Sequence, residues 1–160
     1  MFATTRKTFL LAVALLLGAT SVSAETLVTE QSTVRFVSVK NDAVAEVHSF
    51  SGLSGGIDTA GHVSIVIPLA TVETLVPIRN ERMQALLFET VTFPSALLEA
   101  DIDRSLIDAL ASGDFTEMPL QLRVTLHGVS QSLQTIVGVA RLGDELHVVT
   151  ISPVIIDAGA

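Results

Sequence analysis

Four histidines, His48, His62, His127 and His147, are the first candidates for acid–base or metal chemistry. None stands in an H-x-H, H-x-x-x-H or other tight ligand spacing, and no cysteine is present to supply a thiolate. The pattern therefore offers no metal site, and no cofactor is expected. His62 follows the turn Thr59-Ala60-Gly61 and reads as solvated. His147 alternates with Leu146 and Val148 and reads as an outward strand residue. His48 and His127 read either as hydrogen-bonded wall residues or as groups near a cavity. Ser51-Gly52-Leu53-Ser54-Gly55 reads as a loop, not as a nucleophile elbow. Asp101 and Asp103 share a strand face at i, i+2, but polar neighbours place them on a solvated surface. Nothing here requires an enzyme, and binding without catalysis is the expectation.

Arg79 and Arg82 are different, because they fall inside or beside the apolar stripe of a helix. A buried cation needs a partner. Two readings stay open: the pair meets a lipid head group at a cavity mouth, or it pairs with carboxylates and strand-end carbonyls and pins the helix.

The elements that position these groups follow from periodicity. Apolar–polar alternation marks strands over Val34–Val39, Ala43–Phe50, Val63–Leu69, Ala96–Asp103, Leu120–His127, Leu133–Leu142 and Leu146–Ser152. Turn chemistry separates them at Asn41-Asp42, Gly55-Gly56, Gly113-Asp114 and Gly143-Asp144. Two segments have helical spacing. Arg104–Ser112 has Asp103 as N-cap and Gly113 past its end. Ile78–Phe88 carries Met83, Leu86 and Leu87 on one stripe, with Glu81, Gln84 and Ala85 facing away. Many short strands with so little helix predict an all-β antiparallel barrel or sandwich.

Residues 1–24 read as a secretory leader: Arg6 and Lys7, the apolar run Phe9–Ala19, then Val22-Ser23-Ala24 before a cut at Glu25. The apolar run is short for a bilayer span. Residues 25–160 then form one domain, large enough for one core, and the periplasm is the expected location. The formal charge of −8 becomes more negative once the leader's two cations leave. That balance disfavours nucleic acid and electrostatic docking on anionic lipid. With no cysteine, disulfides and thiol redox chemistry are excluded.

Several motifs in order carry a resemblance. Phe50-Ser51-Gly52, the strand Val63–Leu69, Ile78-Arg79-Asn80-Glu81-Arg82-Met83 with Leu86-Leu87-Phe88 and Phe93-Pro94, Leu126-His127-Gly128-Val129, and Pro153-Val154-Ile155-Ile156 resemble the YceI-like family. The resemblance implies an exported, lipocalin-like antiparallel β-barrel with one or two short helices near its mouth. It also implies an apolar cavity for an isoprenoid, quinone or fatty-acyl chain, and some members are similar to partners of membrane cytochromes, so transient membrane contact is implied. Members usually continue past the Pro-Val-Ile-Ile stretch with a further aromatic segment and a short helix, whereas this sequence stops at Ala160. Either the chain is truncated or the barrel closes with less material, and a barrel left open could form a homodimer.

Expected ligand contacts come from the inward strand faces: Phe36 and Phe50, Ile65 and Ile67, Leu98, then Leu122, Val124, Leu126 and Val137. The mouth helix and its exit add Arg79, Met83, Leu86, Leu87, Phe88 and Phe93. Those aliphatic faces also admit the plainer reading of a solid core. Against the lipid carrier stands a second class, a periplasmic stress or interaction factor working through loops or a sheet edge without bound lipid; an enzyme ranks third.

Overall fold

The computed structural model describes residues 24–40 and 44–154. The leader, the Asn41-Asp42 turn with Ala43, and the Ile155-Ile156 end of the last motif therefore lie outside the described residues, apart from Ala24.

Antiparallel strands dominate, as the alternation predicts. In chain order they are β1 (Glu25–Thr26), β2 (Val34–Lys40), β3 (Val44–Phe50), β4 (Ser54–Ile57), β5 (His62–Pro68), β6 (Ser95–Asp101), β7 (Phe115–Leu126), β8 (Val129–Leu142) and β9 (Glu145–Thr150). Helix α1 (Pro77–Arg82) runs on into a π turn over Met83–Leu87, and α2 spans Arg104–Asp108. Seven strands form one sheet in the order β1-β4-β5-β6-β7-β8-β9, curled into a half-barrel, while β2 and β3 pair as a separate hairpin. No helix among the described residues is long and apolar enough to cross a membrane.

Register carries the inner face across the sheet. Ile65 opposes Leu98, Leu98 opposes Val124, Ala100 opposes Leu122, and Leu122 opposes Leu133. Opposed residues in an antiparallel pair share a face, so each row of apolar side chains continues from strand to strand. The β7–β8 connection is a two-residue turn, His127-Gly128, with φ of 53° and 77°. Positive φ at both positions gives a hairpin turn whose twist matches its strands.

Gly55-Gly56, which reads as a turn, lies instead in the middle of β4. A Cβ on Gly55 would stand 1.9 Å from the Ser64 carbonyl oxygen, and one on Gly56 2.0 Å from that of Glu25. Here glycine allows close approach of neighbouring backbones on both sides of β4. The α2 helix keeps its expected cap, Asp103 Oδ1 accepting from the Ser105 N–H at 3.0 Å, but stops at Asp108, short of Ser112. Arg104 ties its start to the first strand, donating to Glu25 at 2.9 Å and to Asp108 at 3.0 Å.

The hairpin closes over the half-barrel by packing one face on it. Val34, Phe36 and Phe50 pack with Ile65, Ile67, Ala96 and Leu98 of β5 and β6. Among the described residues its ladder to the rest is a single bridge, Ser49 with Glu73, at 3.1 and 2.8 Å.

Candidate functional site

The inner face of the curled sheet is a chain of three apolar clusters. The first gathers Phe50, Leu53, Ile67, Leu69, Val72, Phe88 and Ala96, with Phe36, Ile65, Met83, Leu98 and Leu126 packed on it. Ala100, Leu122 and Val124 form the second, and Leu98 packs against both. The third holds Ile107, Met118, Val137 and Val139, joined to the second through Leu120. An apolar seam therefore runs from the aromatic end under the π turn to Ile107 of α2.

At the aromatic end Phe36 stacks on Phe50 with centroids 5.1 Å apart, and Phe88 meets both edge-on at 6.3 and 5.5 Å. These geometries are the favourable ones for π quadrupoles. His48 is buried there, its ring 5.1 Å from that of Phe36.

Of the expected contacts, the structure brings Phe36, Phe50, Ile65, Ile67, Met83, Phe88, Leu98 and Leu126 into the first cluster, Leu122 and Val124 into the second and Val137 into the third. Four others stand elsewhere. Leu86 is 77% exposed and Leu87 is 48% exposed, so neither joins the interior stripe expected of it. The cause is a change of winding: the Phe88 N–H bonds to the Met83 carbonyl at 2.8 Å, an i→i+5 bond. An α-helix would set Leu87 below Met83; the added residue puts Phe88 there and turns the two leucines outward. The same turn half-buries Gln84, expected to face water, whose Nε2 donates to the Ala70 carbonyl at 2.9 Å. Phe93 packs at the helix exit, 4.2 Å from the His127 ring, away from the clusters.

Arg79 takes the second of its two readings. Its Nη1 donates to Glu46 Oε2 at 2.7 Å, pinning α1 to β3 through a partly exposed ion pair. Arg82 is exposed.

The other three histidines sit outside the seam. His62 Nδ1 lies 2.8 Å from Asp101 Oδ1, and that hydrogen bond raises the imidazole above its ordinary pKa of 6.5. His127 lies 3.5 Å from Glu89, and His147 3.5 Å from Glu145. The stretch Gly52–Gly56 spells G-x-S-x-G, which the loop reading passed over. Ser54, however, opens β4 and does not stand on a strand-to-helix turn, so the context is not that of a nucleophile elbow.

One buried polar group on the seam escapes sequence reading. Thr135, 5% exposed, donates from Oγ1 to the Ser152 carbonyl at 3.1 Å. Its alternation with Leu133 and Val137 was the signal that it faces inward. A cleft of about 390 Å³ opens beside it between Pro119, Leu120, Gln121, Gln134, Ile136 and Ser152, where β9 stops and β8 runs on.

Comparison with known proteins bears on this geometry. The sequence model of the YceI-like domain matches residues 26–157. A solved polyisoprenoid binding domain from Saccharophagus degradans, implicated in plant cell wall breakdown, is 35% identical, with a TM-score of 0.75 over 83% of this chain and 76% of its own. BcnA of Burkholderia cenocepacia aligns at 13% identity and a TM-score of 0.45, over 74% of this chain and 62% of that one. No curated protein matches by sequence.

Proposed function

The chain belongs to the YceI-like family, and from that premise we propose that it is a periplasmic carrier holding a long apolar lipid of the polyisoprenoid class against the inner face of its half-barrel. The observation that supports this most is the 35% identity, over most of both chains, to a domain that binds polyisoprenoid. The seam has the right character, since its walls are aliphatic and aromatic from Phe88 to Val139. Quinone and fatty-acyl chains satisfy the same walls. Each CH₂ taken from water contributes about 0.8 kcal/mol. Ten methylenes thus supply roughly 8 kcal/mol before the cost of ordering the chain. Binding, not catalysis, is the activity proposed, and the leader pattern of residues 1–24 supports export to the periplasm.

In the described structure the seam residues pack on one another, so a lipid must part them. The β2–β3 hairpin is the wall best suited to move, being held to the rest by side-chain packing, one bridge and the partly exposed Arg79–Glu46 pair instead of a ladder. The same close packing favours a second reading, an interaction factor that carries no lipid. Organic extraction of the purified protein followed by mass spectrometry separates the two. A stoichiometric isoprenoid, quinone or acyl lipid is expected. A protein that is lipid-free as isolated and takes up no polyprenol on incubation overturns the carrier reading.

A further inference from the structure

Unusual backbone is concentrated in one segment. Among the described residues three non-glycines have positive φ, and His127 belongs to the hairpin turn. The other two, Leu75 at 61° and Glu89 at 46°, flank α1 and its π turn. A left-handed residue with a branched side chain is strained, and a π turn inside a helix marks a site more often than an accident. The same segment holds large aliphatic side chains in water. Leu75 is 87% exposed, Leu86 77% and Val91 fully so. Ile78, Arg82 and Leu86 follow at four-residue intervals along the outer stripe, and Leu87 continues it.

Local structure does not call for this exposure. Leu75 precedes the N-cap Val76, where an apolar residue often folds back as a staple onto the first turn. Its staple position, Asn80, is polar and accepts instead from the Thr74 hydroxyl at 2.6 Å. Inside the helix, Met83 and Phe88 meet the first apolar cluster. The segment is thus apolar on both sides, its inner side packed on the seam.

Charge selects the partner. The chain carries 17 acidic against 9 basic residues, whereas residues 75–91 hold two of each, Arg79 and Arg82 with Glu81 and Glu89. Arg79 is paired to Glu46 of β3, so this face is far less acidic than the chain as a whole. Two copies of so acidic a chain repel one another, and an anionic membrane repels it too. A bilayer of zwitterionic phospholipid does not. It accepts separate aliphatic side chains into its hydrocarbon boundary while an arginine snorkels to the phosphates. We propose that the outer stripe of residues 75–91 docks the protein on a phospholipid bilayer of low net charge, with Leu75, Leu86 and Val91 inserted and Arg82 at head-group level. This rests on the lipid-carrier reading, for it gives the carried chain a route from membrane to seam past Met83 and Phe88.

Flotation of the protein, purified from expressing cells, with phosphatidylcholine vesicles tests it. The wild type should float, and Leu75→Ser and Leu86→Ser should each lower the partition coefficient about tenfold without changing the unfolding midpoint. Val149→Ser, an exposed residue of β9, should leave flotation unchanged. Residues 1–24 are common to all variants, so a difference between them reports the tip. Wild-type protein that stays unbound overturns the proposal, as do tip variants that float equally well. It is also overturned if the tip variants dissociate a dimer with vesicle binding intact, since the stripe would then be a self-association face. Lipid that co-purifies with a protein unable to float leaves the carrier reading standing and removes only the docking surface. Flotation by a protein that holds no lipid keeps the docking surface and removes the carrier reading.

Discussion

Removing the Phe88 ring should cost far more than removing the Leu86 side chain, although periodicity at 100° per residue ranks them the other way. Phe88 is 8% exposed and meets Phe50 and Phe36 at 5.5 and 6.3 Å. A buried phenylalanine reduced to alanine loses its transfer free energy and leaves a cavity, together about 3–5 kcal/mol. The two edge-on contacts, each about 0.5–1.5 kcal/mol, place the value in the upper part of that range. Leu86 stands in water, so Leu86→Ala should stay within about 0.5 kcal/mol. In urea, with a slope of about 1–3 kcal/mol per molar, Phe88→Ala should lower the midpoint by roughly 2 M and Leu86→Ala hardly at all. Far-UV circular dichroism is the suitable probe, because the chain contains no tryptophan or tyrosine. Should Phe88→Ala not fold, Phe88→Leu, which keeps most of the volume, gives a smaller loss of about 1 kcal/mol in the same direction. Equal shifts for positions 86 and 88, or a larger loss at Leu87 than at Phe88, would mean that the helix keeps its α winding and that the π turn is wrong.

Arg79→Ala should cost less than about 1 kcal/mol, because its pair with Glu46 is partly exposed; a double-mutant cycle in urea measures it, and a loss of several kcal/mol would make the pair a buried one. The His62 imidazole, raised above its ordinary pKa by Asp101, contributes stability that is fully present below the unfolded value of 6.5 and lost as pH rises through the higher folded value. The unfolding midpoint should therefore fall across that window in wild type more than in Asp101→Asn; identical pH profiles for the two would refute the assignment.

Alternation made the sheet legible. The inner residues of β5 through β8 stand where a period of two puts them, because a one-residue slip would move a whole apolar row to the solvent side. The β4 strand was not legible, since Gly55-Gly56 is spelled like a turn and its reason for glycine lies in the backbones of Ser64 on the next strand and Glu25 thirty-one positions back, which pairing alone brings beside it. Arg79 could be seen to need a partner, but Glu46 lies 33 positions away, and only the packing of α1 on β3 chooses it. The π turn was hidden for a different cause. A stripe computed at fixed pitch has no means of registering a change of pitch, so it gathered Leu86 and Leu87 with Met83 when Phe88 was the true companion. The aliphatic composition of the seam was plain in the sequence, whereas its division into three linked clusters depends on how far the sheet curls.

The strand order, finally, has a bearing on how the chain comes together in time. From β4 to β9 every strand pairs with its sequence neighbour, and β2 pairs with β3. Apart from β5 with β6, which are joined through residues 69–94, such pairings close short loops, so those hairpins can form before distant parts of the chain have met. The exception is β1, whose Glu25 and Thr26 must find Ile57 and Gly56 across the intervening hairpin. Assembly of a meander followed by late capture of its first strand is the order this topology favours. Under the proposed export, with the N-terminus leading, the first residues out would be among the last to be fixed.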